Sequence, residues 1–175
     1  MNGNSLYTQE QSKSKPVDST FDLVNIVQPF VEQLKGLYRE KKFLEVIKTA
    51  QKLLNKFPND RKILNILGIA MVQIEDLDGA QDVFETSLKF NPNDSEVINN
   101  LGNILCLKGE FNEAISMYEM SINNNPDDAN THYNLGCPHS RMNNYEPAIA
   151  AFKDSLRIDP SSHSTFYNMG NAYKE

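Results

Sequence analysis

Cysteine is scarce. The chain holds two, Cys106 and Cys137, which is too few for a disulfide framework. Long apolar runs are missing as well. No stretch approaches the roughly 18–20 residues that a membrane span needs. The opening residues, MNGNSLYTQEQSKSKP, lack the apolar core of a secretory signal. No glycine-rich phosphate loop, nucleophile elbow or zinc-hydrolase motif occurs, so the carboxylates read as solvated helix faces and caps. His132 and His139 stand two turns apart on one face, at positions that core side chains usually take, and neither C-x-x-C nor H-x-x-x-H spacing is present to hold a metal. A basic stripe is absent too. The net charge is −6, and residues 61–94 and 95–128 carry −3 and −5 of it, which argues against nucleic acid. These absences predict a soluble cytoplasmic protein that is not an enzyme, with no catalytic residues, cofactor or metal and no membrane partner. The acidic middle favours neutral or basic segments as partners.

What is present is a period. Pro58, Pro92, Pro126 and Pro160 recur every 34 residues. Leu67-Gly68, Leu101-Gly102, Leu135-Gly136 and Met169-Gly170 keep the same step. So do Ala80, Ala114 and Ala148, the aromatics Phe84, Tyr118 and Phe152, and the aliphatics Leu88, Ile122 and Leu156. A fixed step of this length marks one supersecondary unit stacked on copies of itself, each burying its apolar face only against its neighbours.

The units follow from that phase. Residues 1–25, rich in Ser, Gln, Asn and Lys, have too little apolar surface to offset ordering entropy and read as a flexible polar tail. A helical pattern begins near Pro29, and residues 26–60 form a degenerate first repeat whose Leu-Gly mark is out of register, with Gly36 displaced. Full repeats cover 61–94, 95–128 and 129–162, and residues 163–175 hold a first helix only. Asp60, Asp94, Asp128 and Ser162 precede the first helices as N-caps, because a short side-chain oxygen can accept from free first-turn amides. Glycine inside a helix costs about 1 kcal/mol against alanine, so its recurrence implies a close approach of two helices. The recurrent alanines fit the partner side of that contact, and the aromatics fit the knobs of the second helix. The partial last unit predicts that the chain is a fragment of a longer array. The alternative is that it self-associates through the apolar face of Phe166, Met169 and Tyr173.

On these marks residues 61–175, and less clearly 27–60, resemble tetratricopeptide repeat proteins. The resemblance implies an all-α fold, with antiparallel helix pairs stacked as an α-α solenoid in a right-handed superhelix. It also implies a protein-interaction scaffold or adaptor that binds extended peptide segments along the concave face. The segments NNLGN (99–103), YNLGC (133–137) and YNMGN (167–171) look most like the arrays in front of O-linked N-acetylglucosamine transferases and bacterial sulfotransferases. That likeness makes the substrate-recruiting arm of a longer transferase the rival expectation, and a self-associating structural array is a third.

Candidate binding residues lie on the first helices. Asn100, Asn134 and Asn168 share one phase, Asn103 and Asn171 another, and Asn99 stands beside them. Asparagine is a poor interior helix residue, because its side chain competes for backbone groups. Its carboxamide can grip a peptide backbone with both a donor and an acceptor. In the transferase arms such an asparagine ladder holds extended peptides. The structural alternative is hydrogen bonding between adjacent repeats. Tyr133 and Tyr167 flank the same groove and could stack on ligand side chains or pack into the core. Lys62, Arg141 and Lys174 are not in register to clamp a terminal carboxylate. Pro138 departs from the pattern. It falls within a first helix, withholds one hydrogen bond from the Asn134 carbonyl and is expected to kink the helix.

Overall fold

The structure is a computed structural model that describes residues 19–174, with side chains from residue 26. Among the described residues there are nine helices and no strand. They run as α1 (Ser19–Arg39), α2 (Phe43–Leu54), α3 (Arg61–Gln73), α4 (Leu77–Phe90), α5 (Ser95–Lys108), α6 (Phe111–Asn124), α7 (Ala129–Arg141), α8 (Tyr145–Ile158) and α9 (His163–Ala172). Each helix packs on the next, and each odd-numbered helix also touches the next odd one, whereas even-numbered helices do not touch each other. A stack whose odd layer is the closer-spaced one curves toward that layer. The fold is therefore an all-α solenoid with the odd helices on its inner face.

The polar tail expected over 1–25 lies mostly outside the described residues. Its last part is helical, since α1 begins at Ser19 and Pro29 lies inside the helix rather than in its first turn. Capping sets the other boundaries. Asp60 accepts from the Ile63 amide at 3.0 Å and Asp128 from the Asn130 amide at 3.1 Å. Asp94 reaches the Val97 amide at 3.5 Å while also pairing with Arg61 at 3.0 Å. Ser162 departs from the expected cap: its hydroxyl pairs with the Thr165 hydroxyl at 2.7 Å and makes no bond to a backbone amide.

The turn inside each pair repeats too. Lys41, Glu75, Gly109 and Asn143, each 34 residues from the next, all have positive φ, between 59° and 83°. A left-handed residue closes the turn after α1, α3, α5 and α7 alike. Only one of the four is glycine, so residue identity hides this part of the period.

The close approach at the helix-interior glycines is made by the aromatic of the same repeat, not by the alanines. A Cβ at Gly68, Gly102 or Gly136 would stand 2.5, 2.6 or 2.4 Å from the rings of Phe84, Tyr118 and Phe152. The three rings are buried. The first pair solves the same packing problem in reverse. Leu34 stands at the glycine phase and Ala50 at the aromatic phase, both at 0% exposure within one cluster with Val31 and Val46. The large and small partners have changed helices while the filled volume is kept. The first repeat is thus in register, and Gly36 has no neighbour against which a Cβ would pack.

Pro138 does not end α7, which is helical from Ala129 to Arg141. It is buried, like Ala70, Ile104 and Ala172 at the same phase.

Candidate functional site

The expected ladder residues all lie on α5, α7 and α9, and the structure brings most of them into bonds between repeats. The Asn100 Nδ2 donates to Asn65 Oδ1 at 2.9 Å, the Asn134 Nδ2 to Asn99 Oδ1 at 3.1 Å, and the Asn168 Nδ2 to the Tyr133 hydroxyl oxygen at 2.9 Å. The rule is constant. The sixth residue of one repeat donates to the fifth residue of the repeat before it. Asn65 extends the chain by donating to Glu96 at 2.6 Å. Helices spaced for this contact place the rungs in one row along the inner face.

Each rung uses one N–H of the sixth-position carboxamide. A carboxamide has two N–H donors and an acceptor oxygen. The second donor and the oxygen of Asn100, Asn134 and Asn168 make no protein hydrogen bond among the described residues. Asn103 is engaged differently, accepting from the Tyr118 hydroxyl at 2.9 Å. Asn171 is exposed and lines a cavity beside α7. Tyr133 packs its ring 5.9 Å from Phe152 and also places its hydroxyl in a rung, a role the spacing did not suggest. Tyr167 is 72% exposed.

Three recesses follow one another along this face. One of about 300 Å³ lies among α1, α3 and α5, with Tyr38, Ile66 and Ile69 as its apolar walls and Lys35 and Arg39 at its edge. One of about 320 Å³ lies between α5 and α7, bounded by Cys106, Tyr118, Pro138 and Arg141. The third, about 430 Å³, lies among α7, α8 and α9.

Burial raises the pKa of both thiols, and of Tyr118 and Tyr133, so all four stay protonated and uncharged near neutral pH. Both cysteines are free. His132 is buried with its Nε2 2.9 Å from the Pro126 carbonyl oxygen. The His139 Nδ1 is buried without a partner, and burial lowers that pKa against the opposing pull of Glu119. Among the described residues no three His, Cys, Asp or Glu converge as metal ligands.

Two contributors escaped the sequence reading. Asn65 shares the phase of Asn99, but the next repeats place Tyr133 and Tyr167 there, which hid its place in the row. The recess of α1 depends on the register of the first pair, and Gly36 obscured that register. The pairing of Gln28 with Lys62 at 2.9 Å, one full period apart, makes it plain.

No curated protein matches the sequence significantly. Solved structures do. A crystal structure of MamA has a TM-score of 0.72 at 23% identity, covering 81% of this chain and 82% of that one. A MamA segment (41-end) from Desulfovibrio magneticus RS-1 has a TM-score of 0.73 at 22% identity, covering 87% and 85%. These likenesses establish the fold. Within this solenoid, residues 93–161 match the tetratricopeptide repeat family.

Proposed function

We propose that the chain is a non-enzymatic protein-interaction scaffold that holds extended peptide segments along its inner face. One observation carries the reading. Each rung pins an asparagine by a single N–H and leaves its other N–H and its oxygen without a protein partner. A carboxamide held in this way is already oriented, so gripping a peptide unit costs little further side-chain entropy. The contact is made to backbone and tolerates many ligand sequences. Asn99, Asn100, Asn103, Tyr133, Asn134, Tyr167, Asn168 and Asn171 are the proposed contacts. The ladder is uncharged and suits a neutral stretch of ligand. A cytoplasmic location belongs to the same proposal. No described helix is long and apolar enough to cross a membrane.

The test is selection of random twelve-residue peptides on the wild-type chain, repeated with Asn100, Asn134 and Asn168 all changed to Ala. The triple variant loses its rungs and some stability, so binding is read at a temperature where circular dichroism shows it folded. Loss of capture by the folded variant is the expected result. Undiminished capture would overturn the ladder.

Self-association has one observation behind it. Gly170 has nothing within 4 Å of where a Cβ would stand, and Phe166 and Tyr173 are 52% and 57% exposed. Sedimentation velocity over a hundredfold concentration range reads it directly, and a constant monomeric coefficient would remove it. The recruiting-arm alternative rests on the resemblance of three short segments alone.

A further inference from the structure

The recess among α7, α8 and α9, like its neighbour between α5 and α7, has a charge character unlike that of the whole chain. In a protein of net charge −6, no Asp or Glu lines it. Arg141 stands on its wall and forms no ion pair among the described residues, its guanidinium lying 6.0 Å from the Phe111 ring centre. The Tyr133 oxygen accepts from Asn168, and its phenolic proton, which faces the weakly accepting Cys137 thiol, can turn to donate to a stronger acceptor. Asn168 keeps a second N–H. The Ser140 hydroxyl on the same wall is shielded from solvent without a hydrogen-bond partner. Cys137, also on this wall, is a half-buried thiol whose pKa burial raises, so it supplies no counter-anion. The recess therefore gathers donors and one full positive charge with nothing to neutralise them.

We infer that this recess is the subsite for an acidic side chain of the bound segment, with the carboxylate on the Arg141 guanidinium and within reach of the Tyr133 and Asn168 donors. A carboxylate offers about four lone-pair sites, and a guanidinium offers a planar fork that two of them fit. Hydrogen bonds to a charged partner are roughly twice as strong as neutral ones, and the partly enclosed site weakens them less than bulk water does. The recess between α5 and α7 also borders Arg141 and carries the Asn103 and Asn134 amides, but the Tyr118 hydroxyl there is spent on Asn103 and no unpartnered buried hydroxyl like that of Ser140 lines it. The inference rests on the peptide-scaffold reading and sharpens it: a neutral stretch lies on the ladder and an Asp or Glu lies at its α7–α9 end. It departs from the expectation of a neutral or basic ligand, which followed from the net charge of whole repeats rather than from the side chains facing the groove.

Peptides selected on the wild-type chain are aligned, and the most abundant acidic one is remade with Glu changed to Gln. Binding of both peptides is measured to wild type, Arg141→Gln and Arg141→Lys. Arg141 is exposed, so these variants keep their helicity. The expected result is enrichment of Asp or Glu at one position and a loss of about ten- to hundredfold for either single change. The two changes together should lose little more than one alone, and lysine should restore only part of the loss. Selected peptides with no acidic position, or independent effects of the two changes, would sink the subsite and leave the scaffold reading standing. If no peptide is selected, the scaffold reading falls, and a second arm then decides the subsite alone. N-acetylglutamate N-methylamide and its glutamine analogue are titrated against the labelled chain by nuclear magnetic resonance. Shifts at the Arg141 Nε–H and Asn168 side-chain amides with the glutamate probe only would support the subsite, and equal or absent shifts would refute it.

Discussion

The Tyr118 ring fills the space that a side chain on Gly102 would need: a Cβ there would stand 2.6 Å from it. Gly170 holds the same phase with nothing within 4 Å. The same substitution must therefore act with opposite sign at the two sites. Gly102→Ala is expected to destabilise by about 1–3 kcal/mol through overpacking, despite the better helix propensity of alanine. Gly170→Ala is expected to gain up to about 1 kcal/mol. Urea unfolding of both variants checks the pair, and equal signs would contradict the packing.

Leu34 and Ala50 exchange the large and small places that glycine and an aromatic hold in later repeats. Leu34→Gly alone should cost about 3 kcal/mol or more, and Ala50→Phe alone about 1–3 kcal/mol. The double substitution rebuilds the later arrangement, so its cost should fall well below the sum of the two. A double-mutant cycle by chemical unfolding measures the coupling, and strict additivity would show that the two do not share one volume.

Glu75 sits at φ 63° where Gly109 sits at 83° in the following repeat. An L-residue in that region carries a cost of about 1–2 kcal/mol that glycine escapes, partly offset by the greater freedom of glycine in the unfolded chain. Glu75→Gly is expected to stabilise by about 0.5–1 kcal/mol, and Gly109→Glu to destabilise by a similar amount. Thermal melts of the two variants give the comparison.

Pro138 lies within a continuous α7 where Ala70 and Ala172 hold the same phase. Pro138→Ala restores an N–H for the Asn134 carbonyl and removes ring crowding. The expected gain is up to about 3 kcal/mol. Hydrogen exchange should show added protection centred on residues 134–142, and an unchanged unfolding midpoint would mean that the helix already compensates.

Burial holds the His139 pKa below its ordinary value of 6.5. The unfolded chain then binds more protons than the folded one once the pH falls below that value. The contribution of neutral His139 is present above about pH 6.5 and is lost as the pH falls through the lowered folded value. Melting temperatures taken from pH 7.5 to 5 should decline, and His139→Gln should flatten that decline. An unchanged slope would show that His139 is not a source of it.

Much of the array is legible in residue spacing, because a helix pair that must bury the same face in every copy repeats its large and small side chains. The glycines, the buried aromatics, the aspartate caps and the prolines after the second helices are local demands, met within one repeat. They suffice to place α3 to α9 in order. The left-handed turn residues follow the same period but are Lys, Glu, Gly and Asn, since a conformation can be met by several residues at some cost. The reversal at Leu34 and Ala50 is invisible to a search for matching letters, because packing conserves volume rather than identity.

The sequence by itself determined the unit, its length and the asparagine-rich face, since these follow from helical spacing within single repeats. Only the tertiary structure decided that the asparagines bond between repeats, and that the aromatic rather than the alanine covers Gly68, Gly102 and Gly136. It also placed Arg141 in a recess free of carboxylates inside an acidic chain. Those relations join side chains from different helices, and the stacking geometry that brings them together is set by all the interfaces at once.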